Sequence, residues 1–232
     1  MKLTYNNYRE ILNLALEKDY SILSCVQYYN KNFNEGEKII VLRHDVDNCP
    51  ERALEMAKIE NDLGIRSTYF FRSTSNYYNI LSYNCFSIIN EIDKMGHEIG
   101  YHAEPVDFGK AMGITYDRAF SIGKKSLDLV LDKKIQSVAA HREATGNNNL
   151  YEYLCELDYK KHGILYEAYD DKLNLFNNST YNTDSYEFFW RNFYNGELSS
   201  DKLNLKEIIE RGDSKIYSLT HPNLWYERYF HE

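Results

Sequence analysis

Tyr8, Ile11, Leu12, Ala15 and Leu16 recur at the three-and-four spacing of one helix face, with polar residues between them. The chain is therefore expected to open with an amphipathic helix that ends before Ser21. The next segment, Ile39 to Arg43, begins with a continuous apolar run rich in β-branched residues and reads as a strand covered on both faces. From there strands and helices alternate. Pro50 suits the first turn of a helix running to about Leu63, and Gly64 suits its C-terminal cap. A strand from Ser67 to Phe71 comes next, then a helix over Phe86 to Met95 stopped at Gly96, then a strand from His97 to His102. The unit repeats as a helix from Tyr116 to Lys133, a strand from Gln136 to His141, a helix from Asn149 to Leu157 and a strand from Gly163 to Glu167. Between Leu173 and Gly196 the pattern weakens, with short strands expected at Thr180 to Asp184 and Phe188 to Trp190. A helix at Leu203 to Arg211 and a strand at Lys215 to Thr220 close the series.

About seven strands separated by helices imply an α/β fold with a mostly parallel sheet, open or closed into a barrel. No internal repeat or linker interrupts the series, and 232 residues lie within reach of one α/β unit, so residues 1–232 are expected to form a single domain. Hydrophobic residues at 43% and charged residues at 27% are ordinary globular values that exclude a disordered, collagenous or disulfide-scaffold chain. With 27 Lys and Arg against 35 Asp and Glu, the formal charge of -8 gives no pull toward phosphate backbones or anionic lipids, so no nucleic-acid partner is expected. The first residues lack an apolar signal-like run, Glu10 and Glu17 put charge where such a run would be uncharged, and no apolar stretch approaches the ~18 residues of a membrane helix. The four cysteines, Cys25, Cys49, Cys85 and Cys155, lie far apart with no C-x-x-C pair. Reduced thiols, a cytoplasmic location and no membrane insertion are the expectation.

The three prolines, Pro50, Pro105 and Pro222, each come closely after a strand end bearing histidine or aspartate: His44-Asp45-Val46-Asp47, His102-Ala103-Glu104 and His221. Parallel α/β folds carry their sites at the carboxyl ends of strands, so these ends should meet at one rim. Five of the seven histidines, His44, His97, His102, His141 and His221, stand at predicted strand termini. Asp45 and Asp47, one residue apart on extended backbone, point to the same side, where one can bind a metal while the other handles a proton; capping a helix is the structural alternative. His97 begins its strand and differs from His102 by an odd number, which makes it an internal hydrogen-bonded residue. Glu104 shares the parity of His102. A mixed carboxylate and imidazole set suits zinc, or manganese or cobalt, better than the oxygen-only sites of magnesium and calcium.

Arg43 to Asp47 reads R-H-D-V-D, Gly96 to His102 reads G-H-E-I-G-Y-H, and Leu219-Thr220-His221-Pro222 stands near the end. From Ile39 to Trp225 the chain resembles the polysaccharide deacetylases of carbohydrate esterase family four, the NodB homology superfamily, and within it the intracellular branch whose first motif is R-H-D-V-D. Arg142-Glu143-Ala144-Thr145-Gly146 keeps the arginine and glycine of the third motif, R-P-P-Y-G, and Asp184 with Trp190 is the candidate for the fourth. The resemblance implies a distorted (β/α)7 barrel similar to a TIM barrel. It implies Asp45 as general base, Asp47 and His102 as metal ligands, His221 as general acid and Arg142 as the residue that orients Asp45. The implied reaction is metal-dependent removal of an N-acetyl or similar acyl group from an amino sugar, with zinc ahead of manganese or cobalt.

One departure stands out. The family's second motif continues to a further histidine four residues on, and that position is Val106. His141 or Glu104 has to supply the third ligand. His141 ranks first because it ends the strand after that of His102, whereas Glu104 precedes Pro105, whose ring biases it toward extended geometry. Trp225, four residues beyond His221, is a candidate pocket wall, with a core position as the alternative. Two other functions compete: a metal-free carbohydrate-binding protein on the same fold, and a metal-dependent hydrolase of another C–N amide bond. For a cytoplasmic enzyme the substrates would be nucleotide-linked or lipid-linked precursors of surface polysaccharide.

Overall fold

Residues 1–31, 36–141, 158–171, 173, 175–186 and 189–228 are described in the computed structural model of the chain. The expected first helix, α1 (Tyr5–Glu17), buries Tyr8, Ile11, Leu12 and Ala15, and Thr4 caps it by accepting from the Asn7 amide. Two short elements come next that the apolar pattern does not announce, β1 (Ser21–Leu23) and α2 (Cys25–Asn30), the latter closed by a capping box of Ser24 and Gln27. β2 (Ile39–Val46) is buried at every position and runs past the apolar stretch, so Arg43, His44 and Asp45 belong to the strand itself. α3 (Pro50–Asp62) starts at its proline, and β3 (Thr68–Phe71), α4 (Tyr83–Lys94) and β4 (Glu98–Ala103) succeed it. α5 (Pro105–Met112) occupies a stretch to which the sequence pattern assigns no element, its proline again at the first helical position. The chain continues through α6 (Tyr116–Leu131), β5 (Ser137–Ala140), β6 (Tyr166–Glu167), β7 (Thr180–Tyr186), β8 (Phe189–Tyr194), β9 (Glu197–Leu198), α7 (Leu205–Arg211) and β10 (Lys215–Thr220). The expected helix at Asn149 to Leu157 lies outside the described residues.

The strands form one sheet in the order β6-β5-β4-β3-β2-β10-β7-β8-β9, parallel from β6 to β7 and antiparallel in the β7-β8-β9 meander. One edge of β2 is shared, since its first half pairs with β1 from Ser21↔Ile39 to Leu23↔Val41 and its second half with β3 from Arg43↔Thr68 to Val46↔Phe71. The result is a mixed α/β fold with a mostly parallel central sheet. Closure into the barrel that the resemblance implies is not seen, because among the described residues no ladder joins β6 to the other end of the sheet. The free edge of β7, where a closing parallel strand would pair, is taken by the antiparallel β8. No helix among the described residues is long and apolar enough to cross a membrane.

Strand alternation divides the motif residues between the two faces. His44, opposite in parity to Arg43 and Asp45, stacks on Tyr69 at 4.4 Å and places Nε2 2.7 Å from Glu60 Oε1 and Nδ1 2.6 Å from Thr220 Oγ1. Glu60, fully buried on α3, also accepts from Ser67 Oγ at 2.6 Å, from Tyr69 OH at 2.8 Å and from Tyr8 OH. His97 borders the same carboxylate at 3.4 Å and sets Nε2 3.2 Å from the Ala57 carbonyl, so it is an internal structural residue. Burial alone would raise the Glu60 pKa, but His44, His97 and the hydroxyl donors bring it down to about 2. This network knits α1, α3, β2, β3 and β10 together behind the rim. Gly100 on β4 is small for a packing reason: a Cβ there would lie 2.4 Å from the Phe70 ring and 2.7 Å from Ser137 Oγ.

Candidate functional site

Because β2, β4, β5 and β10 run parallel, their carboxyl ends bring Asp47, His102, His141 and His221 to one rim, with Asp45 just below it. Asp47 Oδ1 lies 3.3 Å from His102 Nε2 and 3.4 Å from His141 Nε2, and the three ligand atoms lie within 4.8 Å of one another. His102 Nδ1 is 3.0 Å from the Ala139 carbonyl, which can only accept, so Nδ1 carries the proton and Nε2 turns a lone pair to the cluster. Asp47 Oδ1 is buried with no hydrogen-bond donor among the described residues. Burial would raise the Asp47 pKa, yet the three imidazoles hold it well below the usual carboxylate range. Burial likewise disfavours charge on His102, but Asp45 and Asp47 override it and raise its pKa. His141 is pushed down to about 3, by burial first and by His102 second, so it is neutral at physiological pH. A carboxylate oxygen and two imidazole nitrogens this close together could hold a metal ion, and the chemistry of the donor set suits zinc.

Asp45 is held from its own strand. Arg43, two residues earlier and on the same face, donates from Nη2 to Asp45 Oδ2 at 2.8 Å. The guanidinium is itself boxed by the rings of Phe70, Tyr169 and Tyr217 at 5.5, 4.7 and 5.6 Å and donates to Tyr217 OH at 2.9 Å. Burial works against the Asp45 anion, but Arg43, with His102 and His221, leaves its pKa lowered. Asp45 Oδ1 has no hydrogen-bond partner among the described residues and is the atom available to an incoming proton. Arg142, to which the resemblance gives the orienting role, lies outside the described residues. Arg43 makes the contact, and its parity with Asp45 is the sequence signal that points to it.

His221, just after β10, is fixed by Asp184 on β7, which accepts from its Nδ1 at 2.8 Å and from its backbone amide at 2.9 Å. Burial would lower the His221 pKa, but Asp184, Asp47 and Asp45 raise it to about 9. Its Nε2 faces the cluster, 4.0 Å from Asp47 Oδ2. Asp184, itself buried, thus orients the imidazole from behind. Trp225 is a core residue rather than a pocket wall: it is 0% exposed, packed edge-on against Tyr8 and Trp190, and donates Nε1 to Asp184 at 3.0 Å. The indole is buried because α1 covers it.

Glu104 does not join the three ligand atoms. It stands at the junction of β4 and α5, with φ of -131° and ψ of 55°, just before the helix opens at Pro105. Glu104 Oε2 instead accepts from Arg72 Nη2 at 2.7 Å, Oε1 accepts from Thr74, and His141 Nδ1 is 3.5 Å away. The Arg72–Glu104 pair also lines a cavity of about 440 Å³, with Ser75, Asn76, Asn79 and Phe108 among its walls.

No protein-family model matches the chain, and no curated protein matches it. Among solved structures it is similar to the Streptococcus pyogenes deacetylase PplD in complex with acetate, at 14% identity and a TM-score of 0.46, over 66% of this chain and 69% of that one. It is also similar to a mutant of BA3943, a CE4 family pseudoenzyme with restored enzymatic activity, at 9% identity and a TM-score of 0.48. That match covers 82% of this chain and 58% of the other, less than two thirds of its length.

Proposed function

We propose that the chain is a metal-dependent amide hydrolase that removes an N-acetyl or similar acyl group from an amino sugar, residues 1–232 acting as one catalytic domain. The observation that carries this reading is the convergence of three cation donors, Asp47, His102 and His141, between an anionic carboxylate at Asp45 and a cationic imidazole at His221. Asp47, His102 and His141 would hold the ion, zinc ahead of manganese or cobalt. When bound it supplies a Lewis acid that stabilises charge on the amide carbonyl oxygen and acidifies water.

Asp45, ionised because Arg43 neutralises its buried charge, accepts the proton of the attacking water. His221, protonated because Asp184 holds its Nδ1, donates from Nε2 to the departing amine nitrogen. Base and acid thus begin in opposite protonation states, each set by a buried partner. The motif resemblance at residues 43–47, 96–102 and 219–222 supports deacetylation as the reaction. The neighbouring cavity sets hydroxyl and amide groups beside the Phe108 ring, with Arg72, Glu104 and Asp107 also in its lining, a mixture that supports a polar ligand such as a sugar.

Elemental analysis of protein purified without chelator, followed by amine release from a panel of N-acetyl amino sugars, tests the reading. About one ion per chain is expected, with activity lost to a chelator and restored by zinc. Protein that takes up no zinc, manganese or cobalt would instead be the metal-free binding protein, and release from cyclic amides alone would move the substrate class.

A further inference from the structure

The two imidazoles that face Asp47 are not anchored alike. His102 has a backbone carbonyl behind its ring, whereas His141 Nδ1 is buried with no hydrogen-bond partner within normal range among the described residues. The acceptor on that side is Glu104 Oε2, at 3.5 Å. We infer that Glu104 is the positioning residue for His141: it accepts from Nδ1–H, fixes the tautomer, and aims the Nε2 lone pair at Asp47 and the ion. The inference rests on the reading of Asp47, His102 and His141 as a metal site.

Glu104 is built for such a role. It is 4% exposed, and its two oxygens are clamped by Arg72 and Thr74, so its position is set before any imidazole arrives. Arg72 also points Nη1 at the Asp47 carbonyl at 3.5 Å, and Ser75 Oγ donates to that carbonyl at 3.1 Å. One polar chain therefore runs from the backbone of the carboxylate ligand, through Arg72 and Glu104, to the back of the imidazole ligand. A carboxylate behind a ligating histidine raises its basicity as well as orienting it, and removing such a partner typically costs about 10–100-fold in metal affinity.

Zinc affinity, measured by competition with a chromophoric chelator, tests this in a double-mutant cycle with His141→Ala, circular dichroism reporting whether each variant folds. With His141 present, Glu104→Ala is expected to weaken zinc binding by about 10–100-fold, and Glu104→Gln, whose carbonyl still accepts from Nδ1, by less. With His141→Ala in place, the same changes at Glu104 should alter zinc affinity by less than about twofold, because their effect runs through the missing ring. A Glu104→Ala protein that binds zinc as well as the parent, or one that loses the same factor in both backgrounds, overturns the inference while leaving the metal site standing. If Glu104→Ala does not fold, Glu104→Gln carries the comparison with the same two outcomes. A parent protein that binds no zinc takes down both the site and the inference.

Discussion

Arg43 and Asp45 sit at alternate positions of β2, so the proposed base and the charge that keeps it ionised come from one strand and cannot shift apart. Asp45→Asn should lower kcat by about 10²–10⁴-fold while leaving zinc stoichiometry unchanged, because the amide keeps the shape and loses the basic lone pair. Loss of zinc with activity would make Asp45 a ligand instead. On the acid side, Asp184→Asn should bring the His221 pKa down from about 9, as tracked by NMR in metal-free protein. The sign comes from the proposed role: with the protonated imidazole as the active form, the alkaline limb of the activity profile should move to lower pH and the acid limb, assigned to Asp45, should stay. An unmoved His221 would mean that Asp184 does not hold its proton. The motif residues are legible in sequence because spacing fixes which side of a strand they face. Trp225 is not, since nothing near it in sequence says that α1 lies on top of it. Glu104 shares the parity of His102, but nothing near it in sequence says that Arg72 and Thr74 take up its two oxygens.

At the level of elements, long helices with clear caps and apolar strands can be read directly, whereas β1, α2 and α5 are too short for a period to show. The end of β2 is hidden because charged residues seldom fill a strand interior; here Arg43 pairs with Asp45 on one face and His44 with Glu60 on the other, so burial is compensated. Glu60→Ala should therefore cost about 3–5 kcal/mol in chemical denaturation, the range for breaking a buried pair. The folded-state pKa of Glu60 lies near 2 against an ordinary 4.5, so its contribution is full above 4.5 and fades as pH falls toward 2. The gap between wild type and variant should close over that window, and a gap constant with acid would refute the charge argument. Gly100→Ala should destabilise by about 1–3 kcal/mol in the same assay through overpacking against Phe70 and Ser137.

For the molecule as a whole, a bound ion is a linkage term. Zinc at about 100 times its dissociation constant should add about 2.7 kcal/mol to stability. For a chain of this size that raises Tm by about 5–10 °C in calorimetry, and the increment should vanish with chelator or with Asp47→Ala. Identical melting with and without zinc would argue against the site. The order of strands carries a different consequence. β10 comes last among the described strands, yet it sits between β2 and β7, and its neighbour contact from Thr220 to His44 spans 176 positions. During synthesis on the ribosome the sheet must wait as two fragments, β6 through β2 and β7 through β9, each showing an unpaired edge to the gap. A nascent chain at that stage has already made Asp47, His102 and His141 but lacks His221. If the proposed function holds, it could gather an ion before it could release an amine, and the open edges of the gap are where a chaperone or a stray strand would find it.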